Sequence, residues 1–220
     1  MKRVFLSALA LVLTSGAAAQ ASQVYFNDFE SGSTLSGTGS IEGVQSYEGA
    51  NDISGNFWRD DSIGGSSDLS LSGLGAHSSL VIEFDLALID SWDGGQETSF
   101  GPDIFNVTVD GEEALRTSNF NPISPLLTDG VFGDFGFNPN FNDEAYRVSL
   151  VVEHITGGAE ISFFADGGGY QGGIDESWAI DNLSVSTSGD PSVIPLPAGL
   201  PLLLGALGLT GLTLRRRKTS

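Results

Sequence analysis

The sequence contains no cysteine, one methionine and only two histidines, His77 and His154. Without thiols there can be no disulfide scaffold, zinc knuckle, iron–sulfur cluster or cysteine nucleophile. Two histidines leave little material for a transition-metal site. Basic side chains are scarce as well: nine Lys and Arg stand against 28 Asp and Glu in 220 residues. Six of the nine lie at the ends, as Lys2, Arg3, Arg215, Arg216, Arg217 and Lys218. Residues 21–192 therefore hold all 28 acidic side chains and only Arg59, Arg116 and Arg147, a net charge of −25. Nucleic-acid binding is excluded, because neutralising phosphates needs a basic patch. Charged residues amount to 17%, and no central stretch has the period and caps of an amphipathic helix. Thirty glycines point instead to many turns, and 40% apolar residues are enough for a core.

The two ends read as addresses. Lys2 and Arg3 precede an almost wholly apolar run over residues 4–13. Small residues follow, with candidate cleavage after Ala17-Ala18-Ala19 or Ala19-Gln20-Ala21. That is the order of a secretory signal peptide, assigned to residues 1–21. At the other end, Ile194-Pro195-Leu196-Pro197-Ala198 leads into an apolar stretch and then Arg215-Arg216-Arg217-Lys218. As a helix, residues 198–214 would measure roughly 25 Å at about 1.5 Å per residue, near the lower limit for one transmembrane pass. The basic cluster, residues 215–218, predicts a cytoplasmic C-terminus. The two prolines keep the preceding backbone extended and open to a protease just outside the membrane.

This terminus, residues 194–220, resembles the PEP-CTERM class of bacterial sorting signals in its VPLPA variant, with Ile194 in place of the usual valine. The resemblance implies that an exosortase-type transpeptidase recognises the tail in the inner membrane of a Gram-negative cell. Cleavage near the motif would pass the protein to the envelope or exterior. A permanent single-span anchor is the alternative.

The middle, residues 22–188, has a period of two. Leu80, Ile82, Phe84, Leu86 and Leu88 alternate with residues that include Glu83 and Asp85, giving one buried and one solvated face. Residues 146–153 alternate likewise, and so do 105–109, where Asp110-Gly111 supplies a hairpin turn before 113–116. Residues 24–29, 160–165 and 177–186 are further strand candidates, whereas 31–40, 63–75 and 117–142 read as long connections. The expected fold is all-β: a two-sheet antiparallel sandwich of jelly-roll type, joined by a linker at 189–193 to the sorting tail.

Candidate chemistry gathers at the two ends of this domain. Asn27-Asp28-Phe29-Glu30 closes the first strand, and Asp175 to Asp181-Asn182 belongs to the last. Adjacent first and last strands would bring their carboxylates together, and a hard cation such as Ca²⁺ relieves that repulsion with six to eight oxygen ligands. The pairing resembles MAM-like and calcium-stabilised carbohydrate-binding jelly rolls of the concanavalin-like and galactose-binding-like groups. That resemblance implies a structural calcium held by Glu30 and Asp181, with Asp28 and Asp175 in support. The cysteines of animal MAM domains are absent. Solvated carboxylates without a metal are the plainer reading. A second acidic loop, Asp90-Ser91-Trp92-Asp93-Gly94-Gly95 with Glu97 and Asp103, reads as a turn that could also wrap an ion.

Trp58 and Trp92 are the candidate ring platforms for a sugar, with Trp178 expected in the core. Glu83-Phe84-Asp85 begins a laminarinase-like catalytic strand, but Ala87 and Leu88 stand where its second glutamate belongs, so no catalytic group is assigned. The expected role is a non-catalytic envelope or extracellular-matrix module associated with exopolysaccharide. A lectin-like or glycan-active domain of the concanavalin-like group is the rival, and a cation-sequestering surface component is a third reading.

Overall fold

Alternation along β6 (Ser79–Asp90) sets the architecture. Its even residues Leu80, Ile82, Phe84, Leu86 and Leu88 are buried together with Trp178, Ile180, Leu183 and Val185 of β12 (Glu176–Ser188). The computed structural model describes residues 21–43, 53, 55–94, 101–118, 127–133 and 136–189. The expected signal peptide, except Ala21, and the sorting tail lie outside them. So do Asp190 and the rest of the linker beyond Gly189.

Among the described residues there are strands and no helix. The remaining strands are β1 (Ser22–Asn27), β2 (Ser36–Gly37), β3 (Ser40–Gly43), β4 (Asn56–Asp60), β5 (Ser67–Ser72), β7 (Ile104–Val109), β8 (Glu112–Thr117), β9 (Leu127–Gly133), β10 (Asp143–Glu153) and β11 (Gly158–Asp166). They form two antiparallel sheets. One runs β3-β4-β12-β6-β10-β9, with β1 also on β12; the other runs β2-β5-β11-β7-β8. Phe105, Val107, Ile161 and Phe163 of the second sheet share one core with the β6 and β12 residues, so the sheets face each other as a sandwich.

The first and last strands do pair. β12 lies against β6 along its length, while its other edge takes β4 opposite Trp178, Ala179 and Ile180 and then β1 opposite residues 183–187. Between these partners β12 carries a bulge at residues 181–184, with Asn182 at a φ of 51°. The extra residue re-aims the strand where its partner changes. The Asp110-Gly111 turn joins β7 to β8 as its sequence predicts, with φ of 52° and 83°, the positive values a two-residue hairpin needs.

Several expectations are corrected. The connections at 31–40, 63–75 and 117–142 contain β2, the start of β3, β5 and β9. β5 is masked by composition: Leu69 points inward, but its neighbours are Asp68 and serines. β4 is masked for another reason. Trp58 faces the main core, while Phe57 enters a second apolar cluster with Ile53, Ala87, Ile89, Ala145 and Ala179 on the other side of the sheet. A strand covered on both faces shows no alternation.

The solvated face expected for β6 holds at Glu83, which is exposed, but is lost from Asp85 onward, where Ala87 and Ile89 join that second cluster. Asp85 is only 1% exposed. It is held by Arg147 Nε, 3.2 Å from Oδ1, and by Asn182 Nδ2, which donates to Oδ2 at 2.9 Å.

Candidate functional site

One end of the sandwich collects the C-terminal ends of β4, β6 and β11 and the N-terminal ends of β7 and β12. Loops around residues 91–94, 101–103 and 167–175 close it. Trp92 binds this end together: its indole N–H donates to the Ser177 carbonyl at 2.7 Å, and its ring packs on Tyr170 with centroids 5.7 Å apart. Ser91 Oγ donates to the Asp175 carbonyl at 3.0 Å.

Two carboxylates are enclosed here. Asp103, fully buried, accepts the Asp93 amide on Oδ2, and its own amide donates to the Asp93 carbonyl at 3.0 Å. Glu176, 1% exposed, accepts the Gln171 amide on Oε2 at 2.6 Å. Asp103 Oδ1, Glu176 Oε1 and the hydroxyl of Tyr170, itself 8% exposed, have no hydrogen-bond partner among the described residues. Burial pushes the Asp103 carboxyl up to about 6, with the charges of Asp93 and Asp175 adding to the rise. It raises Glu176 to about 7, with Asp103 and Asp175 adding repulsion. Burial and the Asp60 carboxylate also raise the Tyr170 phenol.

A neighbouring buried carboxylate shows the opposite condition. Asp60 Oδ2 accepts Thr38 Oγ1 at 2.7 Å and Ser67 Oγ at 2.9 Å, while Oδ1 accepts the Ser62 amide at 3.0 Å. Every oxygen is satisfied, as burial of a charge requires.

Outside this end, on the outer face of the larger sheet, a groove of about 380 Å³ is lined by Arg59, Asp90, Phe137, Asn138, Pro139 and Ile174. The Arg59 guanidinium lies 4.8 Å from the Phe137 ring centroid and donates to Ser177 Oγ and the Gly173 carbonyl. The ring and Ile174 are exposed apolar surface beside it.

The four calcium ligands expected from sequence do not form one set. Asp175 sits beside Ser91, just before β12. Glu176 and Asp181 are five residues apart on that strand, roughly 17 Å at about 3.3 Å per residue. No single ion spans that distance. Asp28 and Glu30 are exposed: Asp28 Oδ1 accepts the Glu30 amide at 3.3 Å, and Glu30 accepts the Asn56 amide at 2.8 Å and Asn56 Nδ2 at 3.2 Å. Asn56 lies two residues from Trp58, which pairs with Ile180, so Glu30 reaches the edge that carries the Asp181–Asn182 bulge. Asp181 itself is buried opposite Asp85, and its Oδ1 accepts the Asn182 amide at 2.7 Å. The Asp181 carboxylate is thus met by a backbone donor and that of Glu30 by Asn56.

The two tryptophans expected as platforms are also corrected. Trp58 and Trp92 are buried, at 6% and 4% exposure, because each indole N–H finds an internal acceptor and each ring fills the gap between the sheets. Trp178 is in the core as expected. Sequence reasoning missed the pairing of Asp103 with Glu176. The available signal was the run Gly167-Gly168-Gly169 before Tyr170, because a side chain at 169 would collide with the Asp103 carboxylate and the Gly101 carbonyl.

No protein-family model matches the chain, and no curated protein matches it. Among solved structures, the chain is similar to the Agl-KA catalytic domain, with 14% identity and a TM-score of 0.37 over 86% of this chain and 31% of that one. It therefore spans about a third of that protein's length. It is also similar to the C-terminal CBM6 of LamC, a marine laminarinase from Zobellia galactanivorans. There the identity is 15% and the TM-score 0.36, over 76% of this chain and 93% of that module.

Proposed function

We propose that this chain is an exported, non-catalytic surface or matrix module, sent to the envelope by its VPLPA-type tail through an exosortase-type transpeptidase. The observation that carries the non-catalytic reading is the fate of the Glu83–Asp85 pair. Asp85 is locked under Arg147 and Asn182, and Glu83 accepts Ser149 Oγ at 3.4 Å, so both serve cross-strand contacts of the sheet. The tail residues Ile194, Pro195, Leu196, Pro197 and Ala198, with Arg215, Arg216 and Arg217, support delivery. A folded body with a large negative charge suits a cation-rich exterior and stays soluble there. Mass spectrometry of the protein from producing cells tests the delivery. A product ending near Pro197-Ala198 is expected; a full-length product retaining Arg217 leaves a permanent membrane anchor.

The Arg59–Phe137 groove favours a second reading, a carbohydrate-binding module for exopolysaccharide. An aromatic ring beside a guanidinium and an amide backbone offers both stacking and orientation to a sugar. Glycan binding lost on Phe137→Ala supports it, and a protein that binds no glycan leaves the structural module.

A further inference from the structure

We propose that Asp103 and Glu176 hold one hard divalent cation of the calcium type between the two sheets at the loop-closed end of the sandwich. This goes beyond the surface-module reading and does not depend on it. The site is also separate from the Glu30–Asp181 edge.

The first observation is the set of idle atoms. Asp103 Oδ1 and Glu176 Oε1 are buried carboxylate oxygens without a donor, in a protein that saturates Asp60 a short way off. A buried polar atom without a partner is costly, and a charged one more so. Two of the same sign repel as well.

The second observation is that, among the described residues, no side-chain cation is left to neutralise these acids. Arg59 is committed to Glu42, Ser177 and Gly173, Arg116 to Asp166 and Asn106, and Arg147 to Asp85. His77 and His154 contact each other, with His77 Nε2 and His154 Nδ1 2.7 Å apart. They stand beyond the Ser79 end of β6, a strand length from Asp90. Residues 21–192 contain no further basic side chain.

The third observation is convergence on one short stretch of backbone. A Cβ on Gly169 would lie 2.7 Å from Asp103 Oδ1 and 2.4 Å from the Gly101 carbonyl oxygen. Gln171, two residues on, donates its amide to Glu176 Oε2. Tyr170, between them, has a buried hydroxyl without a partner among the described residues, on which the charges of Asp60 and then Glu176 act. Calcium–oxygen distances of about 2.3–2.6 Å let one ion bridge oxygens roughly 5 Å apart, with water filling the remaining positions. A side chain at 169 would collide with the Asp103 carboxylate and the Gly101 carbonyl, so the backbone there lies directly against the acid.

The test uses the full-length chain, purified in detergent and stripped with chelator. Terbium(III) is titrated in under tryptophan excitation, since Trp92 packs on Tyr170 beside the site, and calcium chloride is then added as competitor. The expected result is sensitised emission that saturates at one ion per chain, is displaced by calcium, and weakens at least tenfold in Asp103→Asn and in Glu176→Gln. Asp181→Asn should leave it unchanged. Trp92→Phe should lose the emission while equilibrium dialysis still finds one bound calcium. Absence of calcium binding in the wild type overturns the proposal, as does binding that survives both Asp103→Asn and Glu176→Gln. Loss on Asp181→Asn alone moves the ion to the other edge and overturns it too. If Asp103→Asn fails to fold, Glu176→Gln and dialysis of the wild type still decide.

Discussion

Trp58 and Asp60 are joined through one hydroxyl. The Trp58 indole N–H donates to Ser67 Oγ at 2.8 Å, and that hydroxyl donates to Asp60 Oδ2 at 2.9 Å. The link ties β4 of one sheet to β5 of the other, in a place where all three side chains are buried. Ser67→Ala leaves an indole donor without an acceptor and removes one of the donors that stabilise a buried carboxylate. A loss of about 1–3 kcal/mol is expected for the indole deprived of its acceptor, with a smaller addition at Asp60, which keeps its Thr38 and Ser62 donors. Urea unfolding followed by tryptophan fluorescence measures it; a change within 0.5 kcal/mol, roughly the scatter of ordinary surface substitutions, would show that the link is not strained by truncation.

Arg147 and Asp85 make a second prediction. Asp85 is buried opposite Asp181, and the Arg147 guanidinium is half exposed, so solvent screens part of their attraction. Arg147→Met should cost about 1–2 kcal/mol, below the 3–5 kcal/mol of a fully buried pair. Asp85→Asn in the same chain should recover part of that loss, because the uncompensated charge is gone. A double-mutant cycle reads the coupling; additive single effects would refute it.

The carboxyls of Asp103 and Glu176 set a pH dependence in the cation-free protein. Their folded values, about 6 and about 7, lie above the ordinary 3.8 and 4.5. The folded state therefore binds more protons than the unfolded state between about pH 4 and 7, and stability must fall as pH rises through that window. Each unit of difference corresponds to about 1.4 kcal/mol. Melting in excess chelator should occur at lower temperature at pH 7.5 than at pH 5, and Glu176→Gln should flatten the difference. A chelated protein equally stable at both values would contradict this.

Tyr170 offers a substitution expected to cost little. Its hydroxyl is buried without a partner while its ring packs on Trp92. Tyr170→Phe keeps the ring and removes the unsatisfied atom. In chelator it should be neutral or stabilising by up to about 1 kcal/mol. A large destabilisation would show that the hydroxyl has a partner after all.

How much of this was legible in the sequence depended on whether a strand has one covered face or two. The alternation from Leu80 to Leu88 marked β6 and its inward side, and Asp110-Gly111 marked the β7–β8 hairpin, because both signals are local. β4 could not be read this way, since Phe57 and Trp58 are both buried, against different clusters. Nor could the burial of Asp85 be foreseen: it depends on Arg147 and Asn182, 62 and 97 residues away.

The sequence by itself determined an acidic, cysteine-free, strand-forming body, because composition and a period of two are properties of neighbours along a chain. Which acids became crowded was decided by tertiary structure alone. Asp103 and Glu176 are 73 residues apart and come to the same end of the sandwich only because β7 and β12 begin there in two facing sheets. Desolvation and repulsion between charges depend on distance in space, and that distance exists only once the sandwich has closed.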